Sequence, residues 1–293
     1  MRVSFVAMDP TIQRLRAVAE SLVMDGADPV SARAPSGRGL RLSHMAHEDR
    51  RNRQPWNRDA DTSDEPAVVY GRNPVRELAA AGRRAIREVW ALADLCKEPW
   101  VAALNPKSVE KSALGKAAGT GDNQGIIAFA DPYPYAESHE ILDALGPIVC
   151  LDRLQDPRNL GAVARVADAV GAAGIVMMRR GSPEVTGTVC KTSAGAIEHV
   201  RVAQVENLAS FLHDAKSPSR WVVGADEDAD EDYRDVAWDP GAIVVIGAEG
   251  EGLRPRVWSM CDRLVKIPMA GKVKSLNLSV ATALLLFETT RRR

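Results

Sequence analysis

Between residues 147 and 293 the chain alternates apolar runs of strand length with helical stretches, and this alternation restricts the fold more than any other feature. The runs fall at 148–151, 174–178, 221–225, 242–246 and 264–267; the helical stretches fall at 160–170, 183–196, 207–215, 254–261 and 277–290. A strand that is apolar on both faces has to be covered on both faces. Such strands spaced by helices predict an α/β fold with a mostly parallel sheet between helical layers. In a sheet of that kind ligands gather beyond the carboxyl ends of the strands.

Residues 67–135 read as a smaller α/β unit. Val68 and Val69 open a strand, Gly71-Arg72-Asn73-Pro74 makes a turn, Pro74 suits the first helical position and Gly82 stops the helix. Ile86, Val89 and Leu92 mark a second strand, and a helix near 106–118 and a strand at 126–130 complete the unit. Asp131-Pro132-Tyr133-Pro134-Tyr135 breaks regular structure, and 136–146 reads as a linker with a short helix. Residues 1–66 read as a flexible extension. An apolar helical period runs over 11–24, but 31–65 holds seven arginines and six acids with hardly an apolar cluster. Too little surface can be buried there to offset chain entropy. A plain disordered extension and a basic arm that touches RNA both fit these residues.

Lys+Arg 38 against Asp+Glu 39 leaves a net charge of −1, so any nucleic-acid binding depends on local basic patches. Six Trp, four Tyr and four Phe are too few for a broad stacking platform. Cys96, Cys150, Cys190 and Cys261 lie far apart with no CxxC pair, as reduced thiols of a cytoplasmic protein would. The scattered histidines give no metal motif, no apolar run reaches the ~18 residues of a membrane span, and the start carries no leader pattern. A cytoplasmic location without a membrane partner is expected.

Three loops at strand ends carry polar residues suited to chemistry. In the first, 151–161, Asn159 is placed to cap the next helix. Arg165, six residues on, interrupts an Ala/Val-rich helix and either snorkels to solvent or serves an anion. The second, Gly247-Ala248-Glu249-Gly250-Glu251-Gly252, lets backbone approach a ligand closely. Its glycine order is not that of dinucleotide folds, no Walker lysine follows, and Glu249 would repel phosphate, which argues against a nicotinamide oxidoreductase. In the third, 267–277, Ser275 or Asn277 can cap the last helix or face a ligand.

Taken together and in this order, the motifs NLGAVAR, IVVIGAEGEGL continuing to IPM, and SLNLSVATALLLFE resemble those of the SpoU/TrmH family of the SPOUT superfamily. These are S-adenosylmethionine-dependent RNA ribose 2′-O-methyltransferases. The resemblance spans 68–293. VCKTSAGAIEHV is similar to the family's stretch between the first two motifs, and YGRNPVREL to the start of its accessory RNA-binding domain, which has a ribosomal-protein-like α/β fold. The branch that methylates a guanosine ribose in 23S rRNA is the nearest in pattern.

The resemblance implies a SPOUT methyltransferase domain over 147–293 with a deep trefoil knot, one of the rare exceptions to unknotted chains. It also implies an accessory substrate-binding domain over 67–135, a homodimer with its active site completed across the interface, and no metal. By carry-over Gly247, Ile267, Leu276, Met269 and Gly252 hold S-adenosyl-L-methionine, and Arg165, Asn159, Glu249, Ser275 and Asn277 surround the reacting hydroxyl. An arginine base is awkward at a pKa above about 12. Arg165 is therefore read first as a cationic clamp on the 2′-oxygen and a phosphate, with proton abstraction as the other role. Arg72, Arg76, Arg83, Arg84 and Arg87 are candidate phosphate contacts, and the acidic run at 226–235 is expected to turn away from RNA. Asn123-Gln124-Gly125 departs from the His-Gln-Gly frequent in relatives, which bears on target choice. A tRNA ribose methyltransferase and a catalytically silent RNA-binding protein are the alternatives.

Overall fold

The computed structural model describes residues 65–218, 220–248, 250–272 and 275–291. Nearly all of the extension assigned to 1–66, with its helical period, lies outside them, as does Glu249.

A four-stranded sheet comes first, built from β1 (Ala67–Tyr70), β2 (Ile86–Ala91), β3 (Lys107–Ser108) and β4 (Ile126–Ala130) in the order β1-β4-β2-β3. β4 runs antiparallel to β1 and β2, and β3 parallel to β2. Helices α1 (Arg72–Ala81), α2 (Pro99–Ala102) and α3 (Lys111–Ala118) connect these strands. After α4 (Ser138–Leu142) the chain enters the larger sheet. Its strands are β5 (Ile148–Leu151), β6 (Gly174–Met178), β7 (Val202–Val205), β8 (Val222–Ala225), β9 (Glu231–Asp232), β10 (Ile243–Ile246) and β11 (Arg263–Lys266). They stand in the order β7-β6-β5-β10-β8-β11-β9, and every pair is parallel. Helices α5 (Pro157–Val170), α6 (Gly187–Thr192), α7 (Leu208–Ala215), α8 (Pro255–Trp258) and α9 (Leu278–Thr290) complete it.

Burial follows the pleat. Val149 and Leu151 of β5 join Leu160, Val163 and Leu285 on one face, and Ile148 and Cys150 join Leu212 and Val245 on the other. Each such fully buried aliphatic side chain contributes about 1.5–3 kcal/mol relative to exposure. The first cluster continues into Val69 of the smaller sheet and Val75 and Leu78 of α1, so residues 66–293 pack as one compact unit.

Several boundaries differ from expectation. α1 begins at Arg72 rather than Pro74, because Gly71 with φ 101° supplies the turn into the helix. The cap of α5 is Asp156, whose carboxylate accepts from Arg158 N at 2.8 Å, with Pro157 in the first turn; Asn159 sits inside the helix and does not cap it. The expected helix over 183–196 shortens to α6 plus a 3-10 turn at Ala196–Glu198. Left-handed Ala194 (φ 55°) and Gly195 (φ 92°) break it. β3, β7 and β9 lack a strand signature in sequence, and tertiary pairing creates them.

Candidate active site

β5 and β10 are neighbours from which the sheet order runs out in both directions, a topological switch point with its crevice at the carboxyl ends. On the β10 side lies a cavity of about 310 Å³. Gly247 and Gly252 from the loop after β10, Ile267 and Met269 from the loop after β11, and Ser275 and Leu276 before α9 all line it. All five residues expected at the cofactor therefore line one cavity.

The loop after β10 is shaped by glycine. A Cβ on Gly247 would fall 2.3 Å from the carbonyl carbon and oxygen of Gly252, so no side chain fits there. Gly252 N–H donates back to Ala248 O at 3.1 Å, and Gly252 itself takes φ 62°. Two side chains outside the sequence-level candidates hold this loop down. Asp152, fully buried just past β5, accepts from Arg254 N at 2.9 Å and from Arg254 Nε at 2.7 Å. Arg153 donates to Gly252 O at 3.1 Å and to the Glu251 carboxylate. The available signal was an acid directly after an apolar strand, but its partner stands 102 residues away.

Asn277 caps α9, its Oδ1 accepting from Ser279 N at 3.0 Å. Its Nδ2 donates to Asn159 Oδ1 at 3.1 Å, joining the first and third motifs. Arg165 is not drawn into this group. Six helical residues beyond Asn159 turn ~240° and rise ~9 Å. Its side chain is exposed, lies outside the cavity wall, and makes no hydrogen bond or ion pair among the described residues. Glu249 lies outside the described residues.

The acidic run begins at the cavity, whose lining includes Asp226, Glu227 and Asp228. Farther along, hydrogen bonds from Arg234 hold the Asp232 carboxyl down at about 2. Among the described residues no cluster of His, Cys, Asp and Glu could hold a metal, and no helix is long and apolar enough to cross a membrane.

The candidate phosphate contacts divide. Arg84 is a correction: its side chain is 2% exposed and paired with Glu198, itself 1% exposed, with Nε to Oε2 at 3.1 Å and Nη1 to Asp131 O at 3.2 Å. No face is left for phosphate. Arg83 is half-buried, and its guanidinium donates to Val200 O at 2.8 Å and to Glu198 O at 3.3 Å. Arg72, 42% exposed, pairs with Glu98 at 2.5 Å; Arg76 lies 4.8 Å over the Trp100 ring; Arg87 pairs with Asp131 at 2.7 Å. At the departure from the family pattern, Asn123 is buried and its Oδ1 accepts from Gly125 N at 3.0 Å. It shapes a turn and presents nothing to RNA.

Two family models match successive parts of the chain. The SpoU rRNA methylase family model matches residues 146–287, and the model for RNA 2′-O ribose methyltransferase substrate binding matches 68–136. A Staphylococcus haemolyticus (strain JCSC1435) protein named for the TrmH family of tRNA/rRNA methyltransferases is 38% identical over 243 residues, 78% of this chain and 97% of that relative. The chain belongs to the SpoU/TrmH family. A second SpoU/TrmH relative, YacO of Bacillus subtilis (strain 168), is 47% identical over 180 residues, 59% of this chain and 72% of the relative. The SpoU methyltransferase AviRb from Streptomyces viridochromogenes, solved in complex with AdoMet, shares the fold at TM-score 0.66 and 23% identity, covering 76% of this chain and 88% of that one. This SpoU/TrmH chain is thus an RNA methyltransferase with a substrate-binding segment ahead of its methylase domain.

Proposed function

We propose that the chain transfers a methyl group from S-adenosyl-L-methionine to a ribose 2′-hydroxyl in RNA, a guanosine of 23S rRNA, working as a cytoplasmic homodimer. The observation that carries this reading is the cavity lined by Gly247, Gly252, Ile267, Met269 and Leu276 from the loops after β10 and β11 and before α9. The residues fit the cofactor. A volume of about 310 Å³ falls in the range of roughly 300–1,000 Å³ for small-molecule sites. Gly247 leaves room for nothing but backbone, and Asp226, Glu227 and Asp228 set negative charge beside a ligand that carries a sulfonium and an ammonium.

The bound cofactor supplies a methyl group already activated by its sulfonium. What remains for the chain is to position the hydroxyl and stabilise the oxygen as it loses its proton. Arg165 is always charged, so it serves as a clamp on that oxygen and a neighbouring phosphate. Asn159, fixed by Asn277, and Ser275 orient the ribose, with Glu249 assigned beside them. Arg72 and Arg76 remain the proposed phosphate contacts of the accessory domain.

A homodimer supplies the missing approach of Arg165 to a cavity. α9 is apolar nearly all round, and Val280 and Phe287, seven residues apart on one face, are 47% and 54% exposed. A second copy covers this stripe and brings its own α5 to the neighbouring cavity. The domain limits 67–135, 136–146 and 147–293 and the knotted C-terminal segment belong to the same proposal.

The test is methyl transfer from labelled S-adenosylmethionine to bulk rRNA and bulk tRNA, followed by mapping of alkali-resistant sites. One ribose in large-subunit rRNA is the expected result. Transfer only to tRNA would move the target to the alternative substrate, and cofactor binding without transfer to either pool would overturn the assignment.

A further inference from the structure

The stretch VCKTSAGAIEHV has no part in the cavity, yet its surroundings are closely packed on two sides. α6 and the turn after it lie between the smaller sheet and α5, the helix that carries Arg165. Three close approaches define the sandwich, and each needs a glycine. A Cβ on Gly187 would sit 2.4 Å from Val68 O of β1. One on Gly195 would sit 2.6 Å from Glu77 Cβ of α1, at a backbone φ of 92°. On the other side, a Cβ on Gly161 would sit 2.7 Å from Thr192 Cβ at the end of α6. Gly161 is one helical turn, about 6 Å, before Arg165. The backbone of these three glycines thus lies directly against β1, α1 and the end of α6, from the accessory sheet through to the helix that carries Arg165.

Polar fasteners cross the same junction. Arg84 from the accessory unit reaches Glu198 and, through Nη2, Cys190 Sγ at 3.6 Å. Tyr133 donates to Val200 O, and Tyr135 OH accepts from Val185 N at 2.9 Å. An ion pair 2% and 1% exposed bears a desolvation penalty that apolar residues of like volume would not. What it adds is geometry, since the planar guanidinium pairs bidentately, its Nε and Nη2 each donating to one oxygen of the Glu198 carboxylate.

We propose that α6 and the turn to Val200 form a fixed spacer between the accessory domain and the active site, that Arg84 and Glu198 are its positioning residues, and that this spacing selects which ribose of a bound RNA reaches Arg165. The proposal rests on the reading of the site as an RNA 2′-O-methyltransferase. A reader held at one distance from the chemistry presents one nucleotide; a loosely tethered reader presents several.

The test uses the full chain with the double variant Arg84→Met/Glu198→Leu, which keeps volume while removing both charges, and the milder Tyr133→Phe. Amide exchange over 66–72 and 185–200 reports the junction without any RNA. Methyl transfer to transcribed 23S rRNA and to bulk tRNA, with site mapping, reports selection. The expected result is faster exchange at the junction and a KM raised about tenfold to a hundredfold for whichever RNA the parent protein methylates. With it go a kcat within about twofold, unchanged cofactor affinity, and methyl groups spread onto neighbouring riboses. Tyr133→Phe shifts the same readouts in the same direction by less. Faster exchange with an unchanged KM and site map would make the junction merely structural and overturn the proposal, as would lost kcat with a single mapped site. A parent protein that methylates neither RNA would refute the underlying reading of the site, and the proposal with it.

Discussion

Arg165 and Gly247 illustrate two ways in which one residue can be indispensable. Arg165 is exposed and makes no contact that holds the fold, so Arg165→Ala is expected to leave thermal stability and cofactor affinity unchanged while methyl transfer falls by at least about 10²-fold, the usual effect of removing an oxyanion donor. Retained activity in the labelled-cofactor assay would remove it from the mechanism. Gly247 acts by having no side chain. In Gly247→Ala the new methyl would meet the Gly252 carbonyl at 2.3 Å, so the loop must move. A loss of roughly 1–3 kcal/mol is expected, with cofactor affinity falling further than stability; calorimetric titration beside a melting curve separates the two. The thiols of Cys150, Cys190 and Cys261 are a different case. Burial pushes Cys190 and Cys261 up to about 12 and Cys150 well above the ordinary value of 9.0, so none is a ready nucleophile near neutral pH.

At the scale of elements, α5 is organised by its ends. Asp156 and Pro157 start it and left-handed Gly171 stops it, which leaves Asn159 in the first turn free to meet Asn277. Removing the cap with Asp156→Ala should cost about 1 kcal/mol, read as a lower denaturation midpoint, with the methyl-transfer KM for cofactor nearly unchanged. α9 is the complementary case. Capped by Asn277, it buries Leu278, Leu285 and Leu286 against the fold and leaves Val280 and Phe287 outside. Phe287→Glu places a charge on that stripe and is expected to lower the sedimentation coefficient from that of the proposed dimer to that of a folded monomer. An unchanged sedimentation coefficient would show that the stripe is not where two copies meet.

At the scale of the whole molecule, one compact unit spans both family segments, and the residues at their junction titrate at high pH. Burial raises Tyr133 to about 12 from an ordinary 10.0, and Cys190 to about 12 from 9.0. Both groups are neutral when protonated, and the folded state favours that form. Their contribution is complete below pH 9, declines above it, and is gone past pH 12. Melting temperatures measured across that interval should fall steeply, and less steeply in Tyr133→Phe, which cannot ionise. An equal slope in both proteins would mean that the alkaline transition lies elsewhere.

The sequence by itself determined the class of fold, because a strand buried on both faces declares itself in consecutive apolar residues such as Ile243–Ile246. The glycine loop at 247–252 was legible locally, because close backbone approach demands glycine, whereas Ile267, Met269 and Leu276 came from the order of the three motifs and their resemblance to the family. Asn277 as a cap was legible for the same local reason. The fate of the arginines was not. Arg83 and Arg84 look like any basic pair after a helix, and only a carboxylate 114 residues onward turns Arg84 inward. The same holds for Asp152 with Arg254, and for β7, which becomes a strand only because β6 and the chain at Ala136 lie beside it. A local rule reads what neighbours in sequence impose. Whether a charge meets water, RNA or a buried partner is settled by groups that folding brings from far along the chain.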